Sequence, residues 1–512
     1  MTAPDLHRQL RDETLRARQR VYAVRPPTPL EPLDLDLDAE VWVKREDQPP
    51  IYAYKWRGAY NRMATLTDAR RDAGVVCASA GNHAQGVALA AAKLDCAAHV
   101  FMPRPTPIMK QRAVARHGGD RVTVELVGDT YDQAAAAAKT FAAENRLAFI
   151  HPYDDLVTMG GQGTLADEVV TSGVGPFDVA YLQIGGGGMA AAVAEWMKHH
   201  NPDLRVVGVE AEGQASMQAA VQHGRPVELD HLDIFCDGTA VQRAGDLTYP
   251  LCRDLIDEFV TVSNQAICNA IRRFWNRRHR IVEPAGALGL AGLLAHRDRL
   301  AGKRALVVTC GANMDFSQLA VIAAEAGIGG ATRRHLRFTL PETAGSMLSL
   351  LQNALADCNI TEFQYGKADD KHAHPVIGLD APPEALAQVQ AKCEKAGIAL
   401  EDVSLGEDID FRVVNYDPSL FRRPLLLRYE FPERAGALHE FLERIRDLAN
   451  VCYFNYLYTG ERVGRALVGL EFQTPKARTA LLERLQQDPA LRTRHRLLSK
   501  EVAARMLAAP SS

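Results

Sequence analysis

A lysine lies between two aromatic residues in the segment Tyr54-Lys55-Trp56, at the predicted start of a helix. A lysine held in an apolar pocket has a destabilised ammonium form, and its free amine can form a Schiff base with an aldehyde. The same pattern also occurs at protein surfaces, where the stem of the lysine covers a neighbouring ring. Taken alone, the segment leaves open whether Lys55 is a nucleophile or a surface residue.

A second segment, Ser79–Gly86, reads Ser-Ala-Gly-Asn-His-Ala-Gln-Gly and follows a short β-branched run. Small residues at a strand–helix junction expose backbone N–H groups at the helix N-terminus, where a carboxylate can bind. The Asn82 amide could donate a hydrogen bond to a phenolate-like oxygen. The alternative is a turn capped by the asparagine. His83 by itself is more typical of a structural hydrogen-bonding residue than of a base or a metal ligand.

A run of four glycines precedes Met189 between a predicted strand and a predicted helix: Gly185, Gly186, Gly187 and Gly188. Consecutive glycines lose much backbone entropy on folding, but their N–H groups can form a cup that holds a phosphate monoester. The pattern Gly185-x-Gly187-x-x-Ala190, with Glu210 at the end of the next predicted strand, also satisfies the dinucleotide-binding fingerprint. A nicotinamide-dependent oxidoreductase is therefore the alternative, although it leaves Lys55 without a role.

Cys310 follows an apolar predicted strand in the segment Cys310-Gly311-Ala312-Asn313. A neutral donor at this place could form a hydrogen bond to a pyridine nitrogen without protonating it. The alternative is a buried thiol beside a glycine turn. By itself the segment does not indicate a function; it does so only together with the other three motifs.

The elements that position these motifs alternate between β-branched and Ala-rich stretches from about Val41 to Asp315. The predicted strands are Val75–Ala78, His99–Met102, Val122–Val127, Val179–Ile184, Arg205–Glu210 and Ala305–Thr309; the predicted helices are an Ala-rich segment ending at Lys93, then Met109–His117, Tyr131–Glu144 and Met189–His199. This alternation predicts parallel sheets covered on both faces, with ligands bound beyond the carboxyl ends of the strands.

The C-terminal part contains an internal repeat that begins after the glycines Gly327, Gly329 and Gly330, which we interpret as a linker. Arg337–Gly345 recurs as Arg428–Gly436, with residue numbers that differ by 91. The same offset relates Phe363-Gln364-Tyr365 to Phe454-Asn455-Tyr456, and Gly378 to Gly469. Each copy predicts a strand, a Pro-Glu-x-x-Gly turn, a helix (Ser346–Cys358 or Leu438–Leu448) and two strands, as in half or more of a ferredoxin-like module. A duplication without a ligand is the alternative.

Length and composition exclude several classes of protein. A chain of 512 residues is expected to form two or three domains. The net charge of −4, with both signs interspersed, gives no case for nucleic acid or an anionic membrane, and no apolar run is long enough to span a bilayer. The Arg-rich N-terminus predicts a solvated amphipathic helix. Nine cysteines without metal-like spacing indicate a reducing cytoplasm, with most of them buried, and no metal site.

Together, and in this order, the four motifs resemble those of the biosynthetic threonine dehydratases, which are fold-type II pyridoxal-phosphate enzymes. The resemblance covers nearly the whole chain. It implies that Lys55 is the Schiff-base lysine, that Asn82 contacts the 3′ oxygen of the cofactor, and that Cys310 faces its pyridine nitrogen. It also implies a phosphate cup and a substrate site, formed respectively by Gly185–Gly188 with Met189 and by Ser79, Ala80, Gly81, His83 and Gly238.

Further segments follow the family pattern: His151–Asp155, Gly161–Thr164, Asp237–Val241 and Glu283–Ala287. Two positions depart from it. The pyridine partner is usually serine, where this sequence has Cys310. The residues before Lys55 are Ala53-Tyr54, where Ser-Phe is commoner. The first departure puts the preference for threonine over serine in doubt, and the second changes the packing near the imine.

The resemblance implies an α/β catalytic domain (1–328) with two parallel-sheet subdomains, followed by two ACT-like α+β regulatory domains (335–408 and 425–497). The implied reaction converts L-threonine to 2-oxobutanoate and ammonia, with isoleucine as allosteric inhibitor, valine as activator and a homotetrameric cytoplasmic enzyme. An L-serine dehydratase or racemase of the same fold, a nicotinamide-dependent oxidoreductase and a catalytically silent amino-acid sensor are the alternatives.

Overall fold

The computed structural model describes residues 3–129, 131–316, 318–326, 332–356, 358–404, 409, 412–432, 437–457, 463–488, 491 and 495–507. The chain divides into two compact units, residues 1–326 and 327–512. The predicted glycine linker at Gly327, Gly329 and Gly330 lies outside the described residues, as does the Pro-Glu-x-x-Gly turn of the second repeat after its proline.

The strands described in the first unit form two sheets. They are β1 (Leu30–Pro32), β2 (Ala39–Arg45), β3 (Val75–Ala78), β4 (Ala98–Met102), β5 (Val122–Leu126), β6 (Ala148–Phe149), β7 (Val179–Gln183), β8 (Arg205–Ala211), β9 (Glu258–Val262) and β10 (Lys303–Thr309). The larger sheet has the order β1-β2-β10-β7-β8-β9 and is parallel except for the edge strand β1, and the smaller sheet, β5-β4-β3-β6, is parallel throughout. Strands such as β3 and β7 are buried along their whole length, as expected for parallel sheets covered on both faces.

The helices described in this unit lie between the strands in sequence, except that α1 precedes the first strand and α13 follows the last. They are α1 (Ala3–Val24), α2 (Lys55–Ala64), α3 (Asp68–Ala73), α4 (Asn82–Leu94), α5 (Ile108–Gly118), α6 (Tyr131–Glu144), α7 (Leu156–Thr171), α8 (Gly188–His200), α9 (Ser216–His223), α10 (Thr248–Leu255), α11 (Asn264–Arg278), α12 (Pro284–Ala295) and α13 (Gln318–Glu325). Helix α12 is apolar on all sides and packs against β7, β8 and β10, which accounts for its near-complete burial.

The N-terminal helix α1 is present as predicted, but it is less solvated than expected. Its face bearing Leu6 and Leu10 is buried, and the helix packs against α7 and α8. The buried carboxylate of Glu195 on α8 pairs with Arg11, and that of Asp167 on α7 pairs with Arg18 at 3.0 Å. Arginines that appear solvated in the sequence therefore neutralise buried acids of the unit.

The second unit contains nine strands and five helices among its described residues. They are β11 (Thr332–Pro341), α14 (Ser346–Asn353), β12 (Asn359–Gly366), β13 (His372–Ala373), β14 (Val376–Ala381), α15 (Pro383–Ala396), β15 (Ala399–Asp402), β16 (Leu425–Pro432), α16 (Ala437–Ile445), β17 (Asn450–Leu457), β18 (Val463–Glu471), α17 (Pro475–Gln487), β19 (His495–Leu497) and α18 (Lys500–Leu507). Apart from β13 and α18, each repeat therefore has the order βαββαβ.

The two repeats share one antiparallel sheet and one hydrophobic core. Strand β12 of the first repeat pairs with β17 of the second, which places Phe363 opposite Tyr456, Gln364 opposite Asn455 and Tyr365 opposite Phe454. The tripeptides related by the offset of 91 residues therefore pair with each other about a local two-fold axis.

Helix α14 ends at Asn353, five residues before the predicted end at Cys358. Ala354, Leu355 and Cys358 remain buried in the core although the chain has left the helix. Their apolar spacing thus continued the helical pattern in the sequence without continuing the helix. Helix α16 likewise ends at Ile445 rather than at Leu448.

Among the described residues, no helix combines the length and the apolar character that crossing a membrane requires. All nine cysteines are buried and free, as expected for most of them from the sequence.

Candidate active site

A cavity of about 840 Å³ lies in the first unit at the carboxyl ends of strands from both sheets. Ser79 follows β3 of the smaller sheet, whereas Gly185 and Cys310 follow β7 and β10 of the larger one. All four motifs singled out in the sequence contribute to its lining. The prediction that ligands bind beyond the carboxyl ends of parallel strands thus agrees with the position of this cavity.

Lys55 is the first residue of α2, and its Nζ donates a hydrogen bond to the carbonyl of Pro152 at 2.9 Å. Burial lowers the pKa of the Lys55 ammonium to about 8. A larger fraction of this amine is therefore unprotonated at neutral pH than for a lysine in water. Lys55 is thereby suited to act as a nucleophile and as a base.

The helix that carries Lys55 is anchored by a fully buried arginine. Arg57 pairs with Glu46 at 2.8 Å and with Glu168 at 2.5 Å. Gly58 is also required on this helix, because a Cβ there would lie 2.7 Å from the carbonyl oxygen of Thr158. The ion pairs and the close helix contact fix the start of α2, and with it the position of Lys55.

The Ser79–Gly86 segment forms the predicted strand–helix junction, and α4 begins at Asn82. The Asn82 Nδ2 donates to Glu283 Oε1 at 2.7 Å, and its Oδ1 accepts a hydrogen bond from Asn313 Nδ2 at 2.8 Å. Gly81 has no atom within 4 Å of an added Cβ, so the space in front of the helix N-terminus is open. This open helix N-terminus can hold an anion such as a carboxylate.

Glu283 lies beneath this junction and is completely enclosed. Its second oxygen accepts a hydrogen bond from the Asn313 backbone N–H at 2.9 Å. Burial and the nearby negative charge of Asp237 raise the pKa of Glu283 to about 7. The carboxyl group therefore orients Asn82 and Asn313 and can titrate near neutral pH.

The glycine cup lies at the N-terminus of α8, with Gly187 in the left-handed region at φ +90°. An added Cβ would lie 2.9 Å from Thr239 at Gly185 and 2.8 Å from the Tyr153 carbonyl at Gly188, and it would strike the Tyr153 ring at Gly186. Met189 follows the cup and is buried. The cup thus lies at a helix N-terminus, and its neighbours leave no room for side chains on the glycines. Bare backbone N–H groups at a helix N-terminus are what a phosphate site requires.

Cys310 is buried at the end of β10, and its Sγ donates to the carbonyl of Ala285 at 3.4 Å. Burial raises the pKa of the thiol to about 12, so it is neutral. Gln183 lines the same cavity and is 3% exposed; its Oε1 has no hydrogen-bond partner among the described residues. Nothing in the sequence marks Gln183 as a site residue, because a glutamine that ends an apolar strand carries no distinctive pattern.

His83 and Gly238 also line the cavity. The Nε2 of His83 donates to the carbonyl of Ile150 at 2.9 Å, while its buried Nδ1 has no partner among the described residues. Burial lowers the pKa of His83 to about 3, so the ring is neutral. The structure therefore supports the structural hydrogen bond expected of His83, and leaves Nδ1 as an acceptor.

An ion pair that the sequence did not predict joins the two sides of the cavity. Lys110 of α5, which packs with the smaller sheet, pairs with Asp237, which lies between α9 and α10. The partners are 127 residues apart. No local pattern relates them, and the folded structure was needed to find the pair.

Among the described residues, no cluster of three or more His, Cys, Asp or Glu side chains could hold a metal ion. Glu210, the acidic residue that followed the glycine run in the dinucleotide fingerprint, is buried at the end of β8. Its oxygens accept hydrogen bonds from the backbone N–H groups of Met217 and Gln218 at 2.9 and 2.8 Å. The carboxylate of Glu210 thus accepts hydrogen bonds from the start of α9, and both of its oxygens already have partners within the protein.

These residues fit pyridoxal phosphate. The glycine cup can hold its phosphate, and the amine of Lys55 can react with its aldehyde. The neutral thiol of Cys310 suits its pyridine nitrogen. A second anion cradle, the N-terminus of α4, lies in the same cavity. A nicotinamide dinucleotide would need neither Lys55 nor this second cradle.

Comparisons with known proteins support this interpretation. A family model described as pyridoxal-phosphate dependent enzyme matches residues 22–311, and one described as the C-terminal regulatory domain of threonine dehydratase matches 325–413 and 422–501. A biosynthetic L-threonine dehydratase of Burkholderia multivorans is 39% identical over 475 residues, which cover 91% of this chain and 93% of that relative. A chloroplastic biosynthetic threonine dehydratase of Arabidopsis thaliana is 36% identical and covers 88% and 77%, respectively.

Solved structures agree with the fold. The processed form of threonine deaminase isoform 2 from Solanum lycopersicum matches with a TM-score of 0.61 and 37% identity, covering 64% of this chain and 89% of that one. Maize serine racemase matches with a TM-score of 0.57 and 29% identity, covering 62% and 97%. The predicted fold class, a fold-type II catalytic region followed by ACT-like regulatory domains, is confirmed.

Proposed function

Because the chain belongs to the biosynthetic threonine dehydratases, a family of pyridoxal-phosphate enzymes, we propose that it converts L-threonine to 2-oxobutanoate and ammonia. One observation carries the proposal. The buried amine of Lys55 shares a cavity with two anion cradles, the glycine cup at the start of α8 and the open N-terminus of α4. One cradle suits the phosphate of the cofactor, and the other suits the carboxylate of an amino acid.

We assign the following roles to the site residues. Lys55 holds the cofactor covalently, and the cup of Gly185, Gly186, Gly187, Gly188 and Met189 holds its phosphate. Asn82, oriented by Glu283 at 2.7 Å, donates to its 3′ oxygen. Ser79, Ala80 and Gly81 bind the substrate carboxylate, with His83 and Gly238 beside them. Cys310 lies at the pyridine end of the site.

When bound, the cofactor supplies an electron sink for the negative charge that develops at Cα of the substrate. The amine of Lys55 removes the Cα proton as general base, for which its lowered pKa of about 8 is suited. The hydroxyl then departs from Cβ with a proton, as water. The enamine that leaves the site tautomerises and takes up water, which releases ammonia and 2-oxobutanoate.

Regulation is a separate part of the proposal. We propose that isoleucine inhibits and valine activates by binding to the two C-terminal repeats, and that the enzyme is a homotetramer. The match of residues 325–413 and 422–501 to a regulatory domain of threonine dehydratase supports a regulatory role for these repeats. We further propose the division into a catalytic domain (1–328) and two regulatory domains (335–408 and 425–497). Deleting Arg337–Ser512 should abolish inhibition by isoleucine; inhibition that persists in full would contradict the placement.

The experiment that tests catalysis is a visible spectrum of the purified protein, followed by addition of L-threonine and assay of 2-oxo acids. We expect an absorbance band from the imine between Lys55 and the cofactor and formation of 2-oxobutanoate, and the loss of both in Lys55→Ala. Lys110→Ala, which alters a lysine of the same cavity, should keep the band. A Lys55→Ala protein that still turns over threonine would refute the assignment.

A second candidate is an L-serine dehydratase or racemase of the same fold. The thiol of Cys310 favours it, since serine is the usual residue of threonine dehydratases at this position, and the similarity to maize serine racemase is consistent with it. The ratio of kcat/KM for threonine and serine distinguishes the two candidates. A higher value for serine, or formation of D-serine, would transfer the proposal to this second function.

A further inference from the structure

A series of hydrogen bonds beside the cavity, here called the amide relay, joins Ile51, Asn313, Asn82 and Glu283. The Asn313 Nδ2 donates to the Ile51 carbonyl at 2.5 Å and to Asn82 Oδ1 at 2.8 Å. The Asn82 Nδ2 donates to Glu283 Oε1 at 2.7 Å. The backbone N–H of Asn313 completes the relay by donating to Glu283 Oε2 at 2.9 Å. The relay thus links residues from four separate segments, three of which line the cavity with a relay side chain.

Backbone groups fix the direction in which the amide relay donates. The carbonyl of Ile51 can only accept a hydrogen bond, so Asn313 must turn its NH₂ group toward it. Asn82 must then present Oδ1 to this NH₂ group, which leaves its own NH₂ group facing Glu283. Among the described residues, Glu283 is the one acceptor of Asn82 Nδ2. One of the two hydrogens on this nitrogen therefore remains for a ligand in the cavity.

Glu283 fits the amide relay as a carboxylate and not as a carboxylic acid. Both of its oxygens face donors, so a proton on either oxygen would point at an N–H group. The backbone N–H of Asn313 cannot turn, and Asn82 would have to rotate its amide to accept the proton. That rotation would bring the NH₂ groups of Asn82 and Asn313 face to face. Protonation of Glu283 therefore breaks the relay on both sides of Asn82.

The charges around Glu283 place its titration near neutral pH. Burial and the negative charge of Asp237 raise its pKa to about 7, against the opposing effects of the relay donors and of Lys110. Cys310 and Tyr54 also lie near the carboxyl group, but burial raises the pKa of each, so both remain neutral. The charged side chains that adjust the titration of Glu283 are thus Asp237 and Lys110, which act in opposite directions.

We propose that Glu283 is a proton-sensitive positioning residue. Its ionised form holds the Asn82 amide in the orientation that donates to the 3′ oxygen of the bound cofactor, and its protonation releases that amide. The cofactor therefore loses a hydrogen bond when Glu283 takes up a proton, whatever the state of the Lys55 amine. The inference rests on the proposed function, which places the 3′ oxygen beside Asn82.

The test separates this hydrogen bond from the reaction with Lys55. Pyridoxine 5′-phosphate has the 3-hydroxyl but no aldehyde, so it binds without reacting with the lysine. Its 3-deoxy analogue lacks the hydroxyl as well. Apoenzyme of the full chain is titrated calorimetrically with each ligand from about pH 5.5 to pH 8.5, a range that spans the pKa of Glu283. The ratio of the two affinities removes the titration of Lys55 and of the phosphate, which both ligands share.

Three variants are compared with the wild type. Glu283→Gln removes the charge, and Asp237→Asn keeps Glu283 but removes the negative charge that raises its pKa. Glu210→Gln is the matched control. Glu210 is also buried, accepts two backbone N–H groups and has a pKa raised by burial to about 8, but it does not line the cavity. Melting temperatures of the apoproteins verify folding.

We expect the ratio for the wild type, relative to Glu283→Gln, to rise about three- to tenfold through pH 7, as the gain of one hydrogen bond implies. Glu210→Gln should follow the wild type, and Asp237→Asn should move the midpoint to lower pH. A Glu283→Gln protein with the pH profile of the wild type would overturn the inference. An unmoved midpoint in Asp237→Asn would do so too, even where Glu283→Gln does not fold. A wild-type protein that binds neither these ligands nor pyridoxal phosphate would instead refute the proposed function.

Discussion

At the scale of single residues, Lys55 determines when the cofactor can attach. Burial lowers the pKa of its ammonium to about 8, and the unprotonated amine alone attacks an aldehyde. The rate of reconstitution of the apoenzyme with pyridoxal phosphate should therefore rise about tenfold per pH unit below pH 8 and level off above it. Stopped-flow absorbance measures this rate. A midpoint near pH 10, as for an exposed lysine, would show that the amine is not buried in solution.

The glycine cup gives a second prediction for a single residue. A methyl group at Gly186 would strike the ring of Tyr153, so Gly186→Ala must displace either the ring or the cup. We expect the affinity for pyridoxal phosphate to fall at least tenfold, because the N–H groups no longer converge on the phosphate. Pyridoxal, which lacks the phosphate, is the matched ligand and should lose much less. Equal losses for both ligands would indicate a general distortion of the cavity.

Individual residues of the site could be predicted from sequence where a local pattern marked them. Lys55, the glycine cup and Cys310 each follow or begin an element, and the carboxyl ends of parallel strands bring such positions together. Contacts between residues far apart in the chain have no such local pattern and could not be predicted. Asn82 and Glu283 are 201 residues apart, and the unpaired oxygen of Gln183 becomes visible when the strands around it are in place.

At the scale of elements, the ion pair between Lys110 on α5 and Asp237 links opposite sides of the cavity. Reversing either charge, in Lys110→Glu or Asp237→Lys, places like charges face to face. Because both partners are partly exposed, we expect a decrease in kcat/KM for threonine of about two- to fivefold in each single variant. The double reversal restores an opposite pair and should recover most of the loss.

A matched control for this ion pair lies elsewhere on the same unit. Lys198 pairs with Asp257 at 2.7 Å with nearly the same exposure, 19% and 40% against 17% and 37%, and neither residue lines the cavity. Lys198→Glu should leave kcat/KM unchanged. A double reversal at Lys110 and Asp237 that fails to recover would show that the individual side chains, and not their pairing, matter.

Elements were predictable where periodicity and burial agree. Helix α6 is found at Tyr131–Glu144 as predicted, because its alanines favour the helix and no glycine or proline interrupts it. Helix α14 was predicted too long, because the buried residues after Asn353 keep a helical spacing in a turn. Periodicity indicates which residues are buried. The conformation of the backbone between them depends on tertiary packing, which a single sequence does not show.

The shared sheet of the second unit predicts that its repeats unfold together. Phe363 and Phe454, one from each repeat, are each 1% exposed, with ring centroids 4.9 Å apart. We expect Phe454→Ala to lower the free energy of unfolding by about 3–5 kcal/mol in one transition common to both repeats. Urea unfolding and a double-mutant cycle with Phe363→Ala should give a coupling of about 0.5–1.5 kcal/mol. Two separate transitions would contradict the single core.

At the scale of the whole molecule, the two repeats share a fold but differ in chemistry at equivalent positions. Beside Gly378 in the first repeat lie Glu362 and His335, which pair with each other at 3.0 Å. Beside Gly469 in the second repeat lie Tyr453 and Leu426. One repeat thus places a histidine–glutamate hydrogen bond where the other places a tyrosine and a leucine. The two repeats therefore offer different side chains to any molecule that binds beside these glycines, the proposed effectors included.

Regulation through these repeats makes a thermodynamic prediction that does not depend on the path between the units. If isoleucine lowers the affinity for threonine by some factor, threonine must lower the affinity for isoleucine by the same factor. A coupling of about 5- to 150-fold is expected for an allosteric enzyme. Lys55→Ala saturated with pyridoxal phosphate allows the measurement, because threonine should bind without losing its Cα proton. Calorimetric titration of each amino acid, with and without the other, gives the two factors. Equal factors above unity support one linked equilibrium, whereas an isoleucine affinity that threonine leaves unchanged would exclude it.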